Sequence, residues 1–398
     1  MNMVQPLAGF RVLDLSRILA GPFCAMTLGD LGAEVIKIER PGSGDDTRAW
    51  GPPFAGGESA YYLCANRNKK SITVNLKSDA GKELIRRLVR VSDVLIENFK
   101  SGEMASLNLG YEQLKQENAG LVYCAITGYG QTGPDKDLPG YDFIIQGRGG
   151  VMSITGEAEG EPMKVGVAIT DITAGLFAAN AIQAALLART KTGQGQAVDI
   201  SLLDVQVAWL ANVGSNYLVS GTKPGRYGNA HPSIVPYQSF QAQDGYFCLA
   251  VGNDSQWQKL CQLIARPELA ADERFSTNPA RVQNRATLIP LLQDVFGTDT
   301  VHGWLRKIRA AGIACGPIQS IDEVFADEQV LARDMRVAMP HPTAGEVRLA
   351  GSPLKLSATP VEFRLPPPVL GEHTDEVLTD LLGYSAQEVG RLREEGVV

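Results

Sequence analysis

A single carboxylate, Asp171, stands where two very different stretches of the sequence meet. Before it, residues 165–169 (VGVAI) form a short β-branched apolar run, and after it residues 172–188 are almost all small or apolar. This pattern predicts a strand followed by a long helix that is buried on all sides, with Thr170 or Asp171 capping the helix. Asp171 is therefore either a helix cap or a reactive carboxylate held by the helix dipole.

Arg40 is the second residue that could do chemistry, because it follows a predicted strand at residues 34–38 (EVIKI). In a βαβ unit this position faces the ribose of a bound nucleotide, where a basic side chain suits a ribose phosphate better than free hydroxyls. Coenzyme A carries such a phosphate on its 3′ oxygen. The alternative is that Arg40 is a solvated charge that closes the strand.

Both residues need a sheet that positions them, and the first 130 residues predict one. Apolar runs typical of strands alternate with helical segments, which indicates an α/β fold with a Rossmann-like, doubly wound parallel sheet. The predicted strands cover residues 10–15, 34–38, 71–76, 93–97 and 121–126. Ligands of such sheets bind at the carboxyl ends of the strands, but the first loop lacks the GxGxxG fingerprint, so a dehydrogenase is not favoured.

Composition limits the class of protein. The formal net charge of −7 argues against a nucleic-acid partner, which would require a basic face. The six cysteines are scattered without metal-ligand spacing, which indicates a reduced, cytoplasmic protein without a metal site. Polar residues interrupt the apolar helix after Asp171, so we expect it to be buried in a core and predict no membrane partner.

A chain of 398 residues predicts more than one compact unit. A stretch dense in glycine and proline at residues 220–236 indicates a boundary, and a hairpin turning at Asp244-Gly245 follows it. We therefore predict a large Rossmann-like domain at residues 1–219 and a smaller α+β domain at 230–330. Residues 339–398 are expected to run, at first in a Pro-rich extended form, back to the large domain.

Several stretches together resemble one known family. They are LDLSRILAGP (13–22), LGAEVIKIERPGSGDDTR (31–48), NRNKKSITVNLK (66–77), ENF (97–99), GYGQTGP (128–134), GVAITD (166–171), KTGQGQ (191–196) and LGEHTDEVL (370–378). This ordered set is similar to the class III CoA-transferases, which include formyl-CoA transferase and the carnitine and bile-acid CoA-transferases. GNAHPSIVPYQSF (228–240) and HPTAGEVRL (341–349) look most like the dicarboxylate-acting branch typified by succinate–hydroxymethylglutarate CoA-transferase.

The resemblance implies roles for particular residues. The nucleophilic aspartate of the family falls on Asp171, and the family's interlaced homodimer becomes the expected assembly. The positions that contact coenzyme A in the family fall here on Leu19, Ala20, Arg40, Val74, Asn75, Leu76, Lys77, Asn98, Phe99, Lys100 and Tyr141.

Two departures from the family pattern matter. An arginine that many members use near the coenzyme A phosphates corresponds to Ser106, and a lysine of formyl-CoA transferase corresponds to Pro139. Other cations must then bind the coenzyme, with Arg40, Lys100 and Lys136 as candidates. The glycine-rich loop of formyl-CoA transferase has no counterpart, which puts an oxalate–formyl specificity in doubt.

The implied reaction moves CoA from an acyl-CoA donor, succinyl-CoA in that branch, to a dicarboxylate such as glutarate or hydroxymethylglutarate. Asp171 would form an aspartyl anhydride and then an aspartyl-CoA thioester, a nucleophilic route that needs the ionised carboxylate. The helix N-terminus would favour that anion, and amides of residues 147–150 (GRGG) could stabilise the tetrahedral intermediates. The coenzyme A thioester is a substrate, and no prosthetic group is implied.

Arg48 and His231 are weaker candidates for binding the acid substrate. A guanidinium matches a distal carboxylate, but Arg48 could equally form a surface ion pair with Asp45 or Asp46. For His231 the favoured alternative is a structural role in its loop.

Two other functions stay open. A 2-methylacyl-CoA racemase needs a second acid–base group, which the racemases supply as His-Asp where this chain has Tyr141-Asp142. A non-catalytic CoA-binding protein would tolerate Asp171→Asn.

Overall fold

The computed structural model describes residues 5–398 and contains two compact units. The first unit comprises the chain up to Val151 together with Val165–Val219 and Glu328–Val398, and the second comprises Met152–Lys164 and Ser220–Asp327. The short segment at 152–164 thus groups with the second unit, although it lies inside the predicted 1–219 domain. The boundaries at 230–330 and 339–398 stay a prediction.

The strands of the described chain are β1 (Arg11–Asp14), β2 (Glu34–Glu39), β3 (Phe54–Ala55), β4 (Glu58–Ser59), β5 (Lys69–Thr73), β6 (Val94–Glu97), β7 (Val122–Thr127), β8 (Ala197–Ser201), β9 (Tyr237–Gln241), β10 (Tyr246–Ala250), β11 (Ala314–Pro317), β12 (Arg336–His341) and β13 (Gly345–Ala350).

The α-helices are α1 (Ala20–Asp30), α2 (Ala60–Leu63), α3 (Asp79–Arg90), α4 (Glu103–Ser106), α5 (Tyr111–Glu117), α6 (Asp142–Arg148), α7 (Ile169–Thr192), α8 (Leu202–Ala208), α9 (Ala211–Ser220), α10 (Asp254–Leu263), α11 (Glu268–Ala271), α12 (Asn278–Gln283), α13 (Arg285–Phe296), α14 (Val301–Ala310), α15 (Ile321–Ala326), α16 (Glu328–Ala332), α17 (Thr374–Glu376) and α18 (Ala386–Glu394). Asp46–Ala49 and Val151–Ile154 are 3₁₀ turns, and Val377–Leu381 is a π-helical turn.

A six-stranded parallel sheet forms the centre of the first unit, in the order β5-β2-β1-β6-β7-β8. Successive side chains of a strand point to opposite faces, so Val12 joins one apolar core with α1 and α7 while Leu13 joins another with α3. Helices therefore cover both faces, and the predicted parallel α/β sheet is confirmed.

The third predicted strand ends earlier than expected. It covers Lys69–Thr73 rather than residues 71–76, because the chain turns at Asn75, whose carbonyl accepts from the backbone amide of Ser78. Ser78 then caps α3 by accepting from Gly81, as helix-start patterns predict. As a result Val74–Lys77 lie in a loop beyond the carboxyl end of the sheet.

The prediction of a strand at residues 165–169, before Asp171, is wrong. The backbone amide of Val165 donates to the Gln146 side chain at 2.8 Å rather than to a neighbouring strand, and α7 begins at Ile169. The helix is also not buried on all sides, since Leu176, Phe177 and Leu187 are exposed while Ala174, Ala178 and Ile182 lie in the core. The small-residue pattern did not distinguish these two faces.

Judged by length and composition alone, α7 is long and apolar enough to cross a membrane. Its buried face belongs to the same core as α1 and the central sheet, and 39% of its apolar window is buried. The core helix of a soluble protein has the same length and composition, so this feature is weak evidence for a membrane span.

The second unit combines a three-stranded antiparallel sheet, ordered β11-β10-β9, with helices. The predicted hairpin at Asp244-Gly245 is confirmed, since Tyr246 pairs with Gln241 across it. Phe240, Phe247 and Phe296 contact one another in the core of this unit.

The C-terminal segment returns to the first unit. It is not purely extended as the proline content suggested, because β12 and β13 form a hairpin from Arg336 to Ala350. Farther along, the carbonyl of Leu365 accepts from Asn68 and that of Val397 accepts from Asn75, both at 2.8 Å. These bonds hold the C-terminal segment against the residues on either side of β5, because Asn68 precedes that strand and Asn75 follows it.

Candidate active site

Asp171 lies in a cavity at the carboxyl ends of the parallel strands. The cavity has a volume of about 210 Å³, and its walls come from the loop before α1, the loops after β6 and β7, and α7. Six of the predicted coenzyme A contacts share this cavity with Asp171, namely Leu19, Ala20, Asn98, Phe99, Lys100 and Tyr141.

A second cavity of about 470 Å³ lies along the ends of β1, β2 and β5. It collects the remaining predicted coenzyme A contacts, which are Arg40, Val74, Asn75, Leu76 and Lys77, and it also includes Phe99. The structure thus brings these residues together in two cavities, and their role in binding coenzyme A stays a prediction.

The helix that carries Asp171 is capped from outside. Ala168 is the N-cap residue and makes no side-chain cap, so the prediction that Thr170 or Asp171 caps α7 is wrong. Instead Oδ1 of Asp142, at the start of α6, accepts from the backbone amide of Thr170 at 2.8 Å and more weakly from that of Asp171 at 3.4 Å. Asp171 is the third residue of the helix, and its carboxylate is left for the cavity.

Burial, together with the negative charge of Asp142, raises the pKa of Asp171 from its usual 3.8 to about 7. This overturns the expectation that the helix N-terminus keeps Asp171 fully ionised at neutral pH. The terminus does attract an anion, but that anion is Asp142, which takes the amides and then repels a charge on Asp171. The Asp171 carboxyl therefore titrates near neutrality.

A close approach of two helices places Asp171 beside the loop before α1. A Cβ atom at Gly175 would lie only 2.6 Å from the carbonyl oxygen of Ala20 and 3.2 Å from the amide of Cys24. Only glycine fits there without a backbone shift. Gly175 therefore positions α7 so that Asp171 and Ala20 line the same cavity.

Tyr61 is a neighbour of the nucleophile candidate that the sequence analysis missed. Its ring packs edge-on against Trp50 at 5.1 Å between centroids. Burial and the nearby charge of Asp171 raise the pKa of Tyr61 to about 12, so the phenol stays protonated at neutral pH. Tyr61 follows the cap residue Ser59 by two positions, and no motif signalled its proximity to Asp171.

Arg17 was also missed, although it lies within the quoted motif LDLSRILAGP. It lines both cavities, and its guanidinium is 5.7 Å from the centroid of the Phe99 ring. Nη1 of Arg17 donates to Asp46 at 2.8 Å, and the same carboxylate forms an ion pair with Arg40. Arg17 and Arg40 are thus linked through Asp46.

The half-buried Asn98 and the buried Asp45 fix the backbone of the loop that carries Arg17. Oδ1 of Asn98 accepts from the Arg17 amide at 2.9 Å, and Nδ2 of Asn98 donates to the Arg17 carbonyl at 2.7 Å. The next residue, Ile18, has a φ of +72°, which is strained for a β-branched residue, and its amide donates to Asp45. Asp45 is itself ion-paired with the fully buried Lys37.

The two departures from the family pattern do not supply cations. Ser106 is exposed, and its hydroxyl donates to the carbonyl of Glu103 within α4. Pro139 lines the cavity of Asp171 without a charge, and Lys100 and Lys136 line the same cavity. Their role in binding coenzyme A stays a prediction.

The structure contradicts the assignment of Arg48 to an acid substrate, and also its alternative as a surface ion pair. The guanidinium is buried and forms ion pairs with Glu39 at 2.7 Å and Glu58 at 2.9 Å. It also donates to the hydroxyl of Tyr62 and the carbonyl of Pro368. These contacts occupy the donors that a substrate carboxylate would need, and they tie the loop after β2 to the C-terminal segment.

The glycine-rich segment at 147–150 does not offer free amides. The amide of Gly149 donates to Ile145 at 2.7 Å and that of Gly150 to Gly147 at 3.4 Å, both at the end of α6. The proposed oxyanion role of this segment is therefore not supported.

His231 lies in the second unit. Its Nδ1 accepts from the amide of Ser233 at 3.0 Å, and its ring packs against Tyr237. A role for His231 in binding the acid stays a prediction.

Over residues 5–398, no group of three or more His, Cys, Asp or Glu side chains is arranged to hold a metal ion. The chemistry available in the cavity of Asp171 is that of a partly buried carboxyl beside the cations Lys100, Lys136 and Arg17. Such a site suits a nucleophilic carboxylate acting on an anionic substrate.

Comparison with known proteins agrees with this geometry. The model of CoA-transferase family III matches residues 7–374. The chain is 45% identical over 398 residues to the succinyl-CoA:glutarate CoA-transferase of Homo sapiens, covering 100% of this chain and 91% of that protein. It is 48% identical over 390 residues to the succinate–glutarate CoA-transferase of Agrobacterium fabrum, covering 96% of each.

Among solved structures, a CAIB/BAIF family protein from Brucella suis superposes with a TM-score of 0.86 at 46% identity. The match covers 95% of this chain and 100% of that one. The resemblance therefore holds for the fold as well as for the sequence.

Proposed function

The chain belongs to CoA-transferase family III and is a CoA-transferase, and on that premise we propose that it transfers coenzyme A from succinyl-CoA to glutarate or a similar dicarboxylate. The observation that carries this proposal is the identity of 45–48%, over nearly the full chain, to succinyl-CoA:glutarate CoA-transferases. The site supports it, because a nucleophile and cations surround one cavity.

In the proposed first step, the Asp171 carboxylate attacks the thioester carbonyl of succinyl-CoA. The C–S bond breaks, which gives a succinyl–aspartyl anhydride and the coenzyme A thiolate. The thiolate then attacks the Asp171 carbonyl of the anhydride, succinate leaves, and an aspartyl-CoA thioester remains. The thioester energy is retained on the enzyme, because each acyl bond is exchanged for another and water takes no part.

The acceptor acid then repeats these steps in reverse. Its carboxylate attacks the aspartyl-CoA carbonyl, releases the thiolate and forms a second anhydride. The thiolate attacks the acceptor's carbonyl, which yields the new acyl-CoA and returns Asp171 as a carboxylate. Lys100 and Lys136 would attract the anionic acid and stabilise the thiolate as it forms and departs.

The acid–base state of Asp171 sets the pH range of this route. Only the ionised carboxylate is a nucleophile, and burial together with Asp142 raises its pKa to about 7. A desolvated carboxylate with a raised pKa is a stronger nucleophile than an ordinary surface aspartate, so the same environment that limits ionisation favours attack.

The alternative functions find less support. None of the residues that line the cavity of Asp171 in the described chain is a histidine, and Tyr141 stands where a racemase has its second acid–base group. A non-catalytic binding role would not require a partly buried carboxyl in the lining of the cavity.

We also propose that the protein is a cytoplasmic homodimer, interlaced as in the family. Exposed apolar side chains on α7, α8 and α9 support a partner surface, since no residue of α9 is buried while Tyr217, Leu218 and Val219 are exposed. The six cysteines are all unpaired, which supports a reducing compartment.

Trapping the covalent intermediate tests the proposed function. The protein is incubated with succinyl-CoA, hydroxylamine is added, and the digested peptide that contains Asp171 is analysed by mass spectrometry. We expect a hydroxamate on Asp171, because hydroxylamine cleaves acyl bonds to that carboxyl. Asp171→Asn should give neither the adduct nor CoA transfer to glutarate.

Asp79→Asn is the matched control, since Asp79 is a fully exposed aspartate at the start of α3. This variant should be labelled on Asp171 as the wild type is. Transfer activity that survives Asp171→Asn would refute the covalent role. An unlabelled wild-type peptide with intact succinyl-CoA would refute succinyl-CoA as the donor.

A further inference from the structure

The two cavities of the first unit meet at a small set of residues. Arg17, Phe99 and Glu103 line both of them, whereas Arg40 and Lys77 line only the cavity at the ends of β1, β2 and β5, and Asp171 lines only the other. A ligand that reaches from Arg40 to Asp171 must therefore pass Arg17.

We propose that Arg17 binds the pyrophosphate of coenzyme A at the junction of the two cavities. This rests on the proposed function, in which Arg40 holds the 3′-phosphate of the ribose and Asp171 attacks the thioester. Coenzyme A carries its pyrophosphate between the ribose and the pantetheine arm. The ligand's order of groups thus matches the protein's order of Arg40, Arg17 and Asp171.

The chemistry of the side chain suits this role. A guanidinium presents a planar fork of donors that matches two phosphate oxygens, and it keeps its charge at every pH at which the enzyme works. Arg17 is 36% exposed, so part of its fork faces open space while Nη1 contacts Asp46. Lys100 and Lys136 line only the cavity of Asp171, which leaves Arg17 as the cation that lines both cavities in the described chain.

The loop holds Arg17 in place before any ligand arrives. Both backbone groups of Arg17 are bonded to the Asn98 side chain, and the strained Ile18 is held by Asp45. Phe99 supports the guanidinium from one side at 5.7 Å. A preorganised donor loses little conformational entropy on binding, so more of the energy of its hydrogen bonds contributes to affinity.

Asp46 explains how two arginines can stand close together without a ligand. It forms ion pairs with both Arg17 and Arg40, and the three side chains carry a net charge of +1. An arriving phosphate can share the two guanidinium groups with Asp46. The same arrangement supplies a cation for the coenzyme where Ser106 and Pro139 have none.

Glu103 is the acidic residue at the junction. Its side chain is exposed at the start of α4, where a phosphate would repel it into solvent. Glu103→Gln should therefore tighten coenzyme binding, the opposite sign to a substitution of Arg17.

Binding measurements with Arg17→Gln test the proposal. Isothermal calorimetry with coenzyme A and with dephospho-CoA reports the pyrophosphate, because both ligands carry it and only the first carries the 3′-phosphate. We expect Arg17→Gln to weaken the binding of both ligands by the same factor, about 10- to 100-fold. Arg40→Gln should weaken the binding of coenzyme A more than that of dephospho-CoA.

Three further measurements complete the design. Succinyl-pantetheine, which lacks the pyrophosphate, should be used by Arg17→Gln with an unchanged KM in the glutarate assay. Arg17→Lys keeps a point charge and should recover part of the affinity for both coenzymes. This variant also allows the test to be made if Arg17→Gln is poorly folded. Arg90→Gln is the matched control, since Arg90 is an exposed arginine paired with Glu117. It should leave both coenzyme affinities and the KM for succinyl-pantetheine unchanged.

Equal affinities of wild type and Arg17→Gln for both coenzymes would overturn the proposal. A loss of affinity in Arg17→Gln for coenzyme A alone would also overturn it, because that result would assign Arg17 to the 3′-phosphate. So would a KM for succinyl-pantetheine that rises in Arg17→Gln by the same factor as the KM for succinyl-CoA. These results are separable from a failure of the proposed function, because calorimetry measures coenzyme binding even if succinyl-CoA and glutarate are not the substrates.

Discussion

Replacing Asp142 by asparagine should move the pH dependence of the enzyme. Asp142 accepts from the amides at the start of α7 and adds a negative charge beside Asp171. Asparagine keeps an oxygen that can accept from Thr170 but removes the charge. We therefore expect kcat/KM in Asp142→Asn to reach its plateau at a lower pH than in the wild type.

The size of the shift follows from the two causes of the raised pKa. Together burial and Asp142 raise the pKa of Asp171 from 3.8 to about 7, and burial makes the larger contribution. As a general magnitude, a like charge in the range of about 4–6 Å at an effective dielectric of 20 repels by roughly 3–4 kcal/mol, which sets an upper limit of about two to three pKa units. With burial retained, a shift of about one unit is expected.

The assay follows succinyl-CoA consumption with glutarate as acceptor from pH 5.5 to 8.5. Because the attacking form is the anion, wild-type kcat/KM should rise through a midpoint near pH 7, the pKa of Asp171. The midpoint should lie near pH 6 in Asp142→Asn and be unchanged in the control Asp79→Asn.

A second variant separates the charge from the cap. Asp142→Ala removes both, so it should share the shifted midpoint and also lose about 1 kcal/mol of stability from the missing cap. If the midpoint of Asp142→Asn stays where the wild type has it, the charge of Asp142 does not control Asp171 and the reasoning fails.

Two further predictions concern stability and are measured by urea denaturation. Arg48→Met should cost about 3–5 kcal/mol, because it leaves the buried Glu39 without its ion pair, whereas the exposed Arg90→Met should cost less than about 1 kcal/mol. A raised KM for glutarate with unchanged stability in Arg48→Met would instead restore Arg48 as a substrate anchor. Burial raises the pKa of Glu97 from 4.5 to about 7, so the folded state binds the extra proton and stability falls as pH rises through that window. Glu97→Gln should therefore stabilise the protein by about 1–3 kcal/mol at pH 8 and by little at pH 4.5, and an equal gain at both pH values would contradict this.

Local patterns in the sequence were sufficient for much of the fold. The alternation of apolar strands and amphipathic helices predicted the parallel sheet, since each periodicity reports which face of an element is buried. The turn at Asp244-Gly245 was predicted for the same reason, because it depends only on residues a few positions apart.

The candidate nucleophile could also be identified from sequence, through its ordered motif set, but its environment could not. Asp142 lies 29 residues before Asp171, and nothing in the spacing indicates that it caps the helix and repels the carboxyl. Likewise Arg48 is a plausible carboxylate anchor by type, yet its partners Glu39, Glu58 and Tyr62 engage it inside the fold.

By itself the sequence determined the parallel α/β sheet, the position of Asp171 at the start of a long helix, and membership of a family of CoA-transferases. Only the tertiary structure decided which charged side chains remain accessible to a ligand and which form ion pairs with one another. The pKa of Asp171 near 7, the buried pairing of Arg48 and the place of Arg17 between two cavities are examples. The physical reason is that electrostatic effects depend on distance and burial, which separation along the chain does not reveal.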